Sequence, residues 1–153
     1  IIESAKNFLY ISTESFTDPD IINILIKAKL KKIDVRILTG TTSMDFSDRM
    51  QNNLKSLLAS DILINSTEQN LHAKLIITDK YLAVSSMNLN KMNLGFKKSS
   101  ELWRENTETI TITSDGEITE YAKNRYETLF SRCENISIVL ASKIEKEVGK
   151  LFT

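Results

Sequence analysis

The spacing of apolar positions divides the chain into short strands and longer helices. Residues 7–13 (NFLYIST) are dense in strand formers and end in a polar cluster, the pattern of a buried strand. Residues 1–6 read as the end of a helix. Thr17-Asp18-Pro19 is a helix start, a capping residue followed by a proline whose missing N–H costs nothing in the first turn. Ile21, Ile22, Leu25, Ala28 and Lys29 then recur at helical spacing to about Lys32. Ile33, Val35, Ile37 and Leu38 form the next strand, which ends at Gly40, and 41–45 is a polar loop. Phe46, Met50, Leu54, Leu57 and Leu58 mark an amphipathic helix. Residues 61–65 (DILIN) are a short strand.

Two apolar stretches follow, 73–78 and 81–84, close enough for a hairpin. Residues 89–104 are a long polar loop. Residues 108–113 alternate as a strand, Asp115-Gly116 is read as a turn, and 118–133 and 136–152 are read as helices. Strands alternating with helices predict an α/β fold, a mixed β-sheet with helices on both faces. The expected division is a main domain over 1–133 and a C-terminal helix over 134–153. The apolar face of that helix (Ile136, Leu140, Ile144, Val148, Leu151) packs on the domain or forms an oligomer contact.

Composition narrows the function. The chain has 153 residues, enough for one domain, and 41% of them are hydrophobic. Basic and acidic side chains balance at 20 each, so a nucleic acid or phosphate site must be a local patch. The single cysteine, Cys133, excludes an intrachain disulfide and a cysteine-built zinc site. The single histidine, His72, excludes any site that needs two histidines from one chain. No apolar run approaches the ~20 residues of a membrane span. The chain opens without Met and without a basic-then-apolar leader, so it is read as a piece of a longer protein, with a cytoplasmic setting favoured.

The informative segment is LHAKLIITD (71–79), followed by SSMN (85–88). Alternation puts His72 and Lys74 on one side of a strand, and Ser86 and Asn88 on one side of the next. An odd loop around Lys80 would set His72 opposite Asn88 and Lys74 opposite Ser86, ~5 Å apart at Cβ. An even loop would put the two pairs on opposite faces. A nucleophile, a cation, a hydroxyl and an amide together suit a phosphate. Neutral imidazole attacks phosphorus while Lys74, Ser86 and Asn88 donate to the oxygens that gain charge. This chemistry requires no metal and no cofactor. Asp79 has the opposite parity and is expected to close the turn or anchor a cation.

The pattern H-x-K-x4-D followed by S-S-x-N resembles the phospholipase D superfamily and its HKD motif, here His72, Lys74, Asp79 and Ser85-Ser86-Met87-Asn88. YISTESFTDPDIINILIKAKLKKIDVRILTG looks like the family's opening strand–helix–strand, and Asn106-Thr107-Glu108 like its N-x-E. Ser85 departs from the glycine many members carry. The resemblance implies that His72 forms a phosphohistidine, that Lys74 and Asn88 bind phosphate oxygens with Ser86 in support, and that Glu108 holds the imidazole in its reactive tautomer. It also implies a second histidine to protonate the leaving oxygen. One chain supplies one, so two copies meet about a two-fold axis, as in the single-motif bacterial endonuclease type, or the chain is half of a two-motif protein.

The expected function is therefore a metal-independent phosphodiesterase, most simply a homodimeric nuclease acting on DNA or RNA. Lys91, Lys97, Lys98 and Arg104 in the long loop would steer the polyanion. Phe96 and Trp103 there are read as covering the core or a dimer seam, and the run Lys27-Lys29-Lys31-Lys32 as helix surface. Two rivals remain: a phospholipid hydrolase or transferase, and a non-catalytic phosphate-binding or dimerisation module.

Overall fold

The computed structural model describes residues 1–40, 48–67, 71–89 and 108–141. In chain order these hold β1 (Phe8–Ser12), α1 (Pro19–Leu30), β2 (Asp34–Gly40), α2 (Asp48–Ala59), β3 (Leu63–Thr67), β4 (Lys74–Thr78), β5 (Leu82–Ser85), β6 (Ile110–Thr113), α3 (Gly116–Arg132) and β7 (Glu134–Asn135). A fourth helical run, α4, occupies residues 136–141. The strands form one mixed sheet in the order β6-β5-β4-β1-β2-β3-β7.

β1 is a central strand at which the sheet changes direction. It runs parallel to β2, Leu9 opposite Val35, and antiparallel to β4, Ile11 opposite Ile76. Its odd and even positions face two separate cores, so the strand is apolar throughout. On one face Leu9 and Ile11 pack with Ile22, Leu25 and Ala28 of α1, Met50, Leu54 and Leu57 of α2, and Ile136 of α4. On the other, Tyr10 packs with Leu38, Ile77, and Tyr126 and Phe130 of α3. The fold is the helix-flanked mixed sheet that the sequence predicts.

Local chemistry sets the helix ends. The Asp18 side chain accepts from the amides of Asp20 and Ile21 at 2.8 and 3.3 Å, and Pro19 opens α1, as expected. The helix stops because Lys32 turns left-handed (φ 65°) and the Ile33 amide returns to the Ala28 carbonyl at 3.2 Å. α3 is tied to β1 directly: the Tyr126 hydroxyl donates to the Ile11 carbonyl at 3.0 Å. Burial pushes that phenol well above its ordinary value.

Several boundaries differ from the sequence reading. Residues 1–6 contribute only a 3-10 turn at Ile2–Ser4. Asp115-Gly116 is a helix start rather than a turn, because the Asp115 carboxylate caps α3 by accepting from the Ile118 amide at 3.0 Å. The last strand on that side begins at Ile110, not at residue 108, and β7 is unannounced by any alternation. Ile136 is fully buried and Leu140 packs on the same core. Ile144, Val148 and Leu151 lie outside the described residues.

Asp79 follows β4 and secures the start of β1. Its carboxylate accepts from the backbone amides of Lys6 and Asn7 at 2.7 and 2.9 Å, and from the Asn7 side chain at 2.6 Å. Partial burial pushes the carboxyl up. The Asn7 and Lys6 hydrogen bonds outweigh it and hold the group below its ordinary value. A depressed carboxyl stabilises the fold above its unfolded-state pKa, and that contribution is lost as pH falls through the folded one. Asp79→Asn, which removes the charge that those amides stabilise and sets a second amide donor against the Asn7 side chain, is expected to cost about 1–3 kcal/mol at neutral pH. The difference from wild type should shrink below about pH 4. Urea unfolding of both proteins at neutral and acid pH checks this; equal stability at neutral pH refutes it.

Candidate active site

The parallel strands β1 and β2 end side by side, and β4, antiparallel to β1, begins beside that end. Open α/β sheets place ligands in the crevice beyond the carboxyl ends of such strands. Thr13 and Glu14 continue β1 into this crevice. His72 and Lys74 enter it from the amino end of β4, which pairs with β1 through Ser12 opposite Leu75. The Ser12 hydroxyl donates to the Ala73 carbonyl at 2.8 Å and so fixes the backbone between the two side chains.

The hairpin register is not the one needed for direct opposition of the motif pairs. Lys74 lies opposite Ser85 and Ile77 opposite Leu82, which makes the connecting loop even. The cause is local: the Thr78 hydroxyl accepts from the amides of Lys80 and Tyr81 at 3.3 and 3.0 Å and closes a tight turn. Ser86 therefore falls on the face opposite Lys74. Its hydroxyl donates to the Glu108 carboxylate and accepts from the Thr109 amide at 3.0 Å.

Asn88 nevertheless joins Lys74 at Glu14, because the chain leaves the strand after Ser85. The Ser85 hydroxyl accepts from the Met87 amide at 2.8 Å, bending the chain. Leu89 is then clamped to the segment after β1, its amide donating to the Ser15 carbonyl at 3.1 Å and its carbonyl accepting from the Thr17 amide at 3.0 Å. Ser85, the departure from glycine, thus has a structural task. Asn88 Oδ1 accepts from the Glu14 amide at 3.1 Å and the Thr13 hydroxyl at 3.3 Å. Its Nδ2 donates to Glu14 Oε2 at 3.3 Å.

Glu14 is where the site converges. Its Oε1 lies 3.1 Å from His72 Nδ1 and 3.4 Å from Lys74 Nζ. The Lys74 side chain is only 12% exposed, whereas that of His72 is 79% exposed. The ammonium is thus withdrawn from solvent and paired, while the imidazole stands open to solvent. A small cavity of about 30 Å³ lies against Lys74 and Ser85, walled by Ile76, Ala83, Met87 and Leu89. Among the described residues no group of histidine, cysteine and carboxylate side chains is arranged to hold a metal ion.

Of the residues singled out from sequence, His72, Lys74 and Asn88 are brought together. Ser86 and Glu108 form a separate contact. Glu108 has no bond to the imidazole; the carboxylate on His72 Nδ1 is Glu14. Asp79 is at the far end of β4 from Lys74, roughly 16 Å along the strand, and touches no site residue. Lys91, Lys97, Lys98 and Arg104 lie outside the described residues, as do Phe96, Trp103, Asn106 and Thr107. Glu14 was not singled out. Its signal was a carboxylate in the polar cluster that ends a buried central strand.

Residues 1–130 match the family model described as cardiolipin synthase, PLD-like domain. The chain belongs to this phospholipase D-like family. Its fold is similar to that of a phospholipase D family member, Nuc from Salmonella typhimurium, with 20% identity over 88% of this chain and 84% of that one, and a TM-score of 0.72. NucT from Helicobacter pylori is similar at 21% identity over 88% and 85%, with a TM-score of 0.67. TrmBL2, an archaeal chromatin protein with a novel mode of DNA binding, is similar at 11% identity over 87% of this chain and 46% of that one, with a TM-score of 0.59. No curated protein matches the chain. The HKD pattern of this PLD-like chain therefore sits on the fold its family predicts.

The geometry ranks two motif residues by stability. Asn88→Ala removes the acceptor of the Glu14 amide and is expected to cost about 1–3 kcal/mol. Ser86→Ala, at an exposed contact, is expected to cost under about 1 kcal/mol. Chemical denaturation of both variants checks the order; a larger loss at Ser86 contradicts the placement.

Proposed function

We propose that this PLD-like protein is a metal-independent phosphodiesterase that works through a phosphohistidine, as a homodimer, on nucleic acid. The observation that carries the reading is the meeting of His72, Lys74 and Asn88 at the carboxyl end of β1, with the imidazole open to solvent. His72 Nε2 attacks phosphorus, a P–N bond forms, and the P–O bond to the leaving alcohol breaks. The leaving oxygen takes a proton from the second copy's imidazole. Water then attacks the phosphohistidine, passes a proton to that imidazole, and the P–N bond breaks. Lys74 and Asn88 donate to the non-bridging oxygens in both steps, as charge accumulates there. The given sequence holds one histidine, so this reading takes the second imidazole from another copy of the chain.

Nucleic acid is favoured by the four basic residues Lys91, Lys97, Lys98 and Arg104 that follow the motif in sequence. The likeness of fold to a DNA-binding chromatin protein agrees with it. A phospholipid substrate is the second reading, favoured by the family description as cardiolipin synthase. Among the described residues no helix is long and apolar enough to cross a membrane.

Labelled DNA and RNA, and phosphatidylcholine and phosphatidylglycerol vesicles, each incubated with the protein in EDTA, separate the two. We expect cleavage of nucleic acid undiminished by chelation, an acid-labile phosphoryl-protein, and a loss of about 10²–10⁴-fold in His72→Ala. Turnover of lipid alone overturns the nuclease reading. Loss of turnover in EDTA overturns the metal-free mechanism. Sedimentation at micromolar concentration should give a dimer; full activity in a strict monomer overturns the shared site.

A further inference from the structure

We propose that Glu14 is the positioning carboxylate of this site: it holds His72 in the Nδ1–H tautomer, leaving the Nε2 lone pair free, and locks Asn88 against it through the same residue. The proposal rests on the reading of His72 as the nucleophile. Neutral imidazole carries one N–H, and the nitrogen that bears it is set by the partner of the other. Glu14 Oε1 is an acceptor without a proton to give, 3.1 Å from Nδ1, so it favours the tautomer with the proton on Nδ1. The ring's remaining nitrogen is then the nucleophilic atom, on a side chain that is 79% exposed.

Three further contacts make Glu14 more than an incidental neighbour. Lys74 Nζ, withdrawn from solvent, is 3.4 Å from the same oxygen. The other oxygen accepts from Asn88 Nδ2 at 3.3 Å, and the Glu14 amide donates to Asn88 Oδ1 at 3.1 Å. Backbone and side chain of one residue thus grip both ends of the Asn88 amide and set which way it faces. Among the described residues the Glu108 carboxylate accepts from the Ser86 hydroxyl and does not meet the imidazole, so the orienting task passes to Glu14. Glu14 gives and takes no proton in the chemical steps; it acts through His72 and Asn88.

The single histidine makes the test direct, since a ¹⁵N-labelled sample gives one imidazole spectrum. Long-range ¹H–¹⁵N correlations near pH 8.5, about two units above ordinary imidazole, read the tautomer. Wild type is expected to show a protonated Nδ1 and an unprotonated Nε2. Glu14→Ala should shift the population toward Nε2–H, and Glu14→Gln, nearly isosteric and safer for folding, should shift it less. Phosphodiester turnover should fall about 10–100-fold in kcat for Glu14→Ala, with KM changed far less. Glu108→Ala should leave the tautomer as in wild type. An unchanged tautomer in both Glu14 variants overturns the proposal, as does a shift seen with Glu108→Ala instead. If His72→Ala still turns over substrate, the nucleophile reading falls, while the tautomer measurement continues to judge Glu14 by itself.

Discussion

Everything at the site hangs from the end of β1. This strand has a parallel neighbour on one side and an antiparallel neighbour on the other, and both of its faces are buried. Hydrogen bonding on two edges and packing on two faces leave it no freedom to slide. Its far end is equally constrained, since the Asp79 carboxylate collects the amides of Lys6 and Asn7 just before the strand begins. The residue that follows the strand by two positions, Glu14, is therefore delivered to a defined point. A positioning group built on a rigid element keeps its geometry.

The charge arrangement at that point has a consequence for substrate. A mostly buried ammonium needs a counter-charge, and Glu14 supplies it to Lys74 before any phosphate arrives. An incoming phosphodiester then competes with the carboxylate for the same cation. The competition lowers ground-state affinity for the anion. It penalises the transition state less, because the extra negative charge on phosphorus strengthens the pull of Lys74 and Asn88 as the reaction proceeds. Interactions that grow in this way accelerate the chemistry, whereas uniform binding does not. The overall charge balance of 20 basic to 20 acidic residues fits the same logic, with affinity drawn from local groups and not from a field around the whole molecule.

What could be read from the sequence divides by range. The start of α1 is legible because Asp18, Pro19, Asp20 and Ile21 are neighbours and the cap is a contact between them. The face assignments of α1 and α2 are legible because helical periodicity belongs to the element alone. The hairpin register is not, because one hydroxyl, that of Thr78, decides between an odd and an even turn. The even turn separates Ser86 from Lys74. The Ser85 bend and the Leu89 clamp then return Asn88 by a route that alternation does not describe. Glu14 was overlooked for a related reason. Its partners stand at 72, 74 and 88, and no local pattern marks a carboxylate whose contacts are all distant in sequence. Motif spacing singled out His72, Lys74 and Asn88, which the structure gathers around Glu14; the resemblance gave the orienting role to Glu108, whose carboxylate accepts from the Ser86 hydroxyl.

The exposure of His72 bears on how the reaction would be completed. Lys74 and Glu14 are largely withdrawn from water, yet the imidazole between them and solvent is 79% exposed. A phosphohistidine formed there would be open to bulk water before the leaving alcohol had been protonated and released. Electrostatic stabilisation by Lys74 and Asn88 would also be weakened, since solvent screens what a low-dielectric site preserves. A second copy placed over the ring answers both problems at once. It brings the acid that the chain lacks and removes the water that the open face admits. Under the proposed mechanism the chemical need for a second proton donor and the physical need for a cover point to the same surface, the one on which His72 stands.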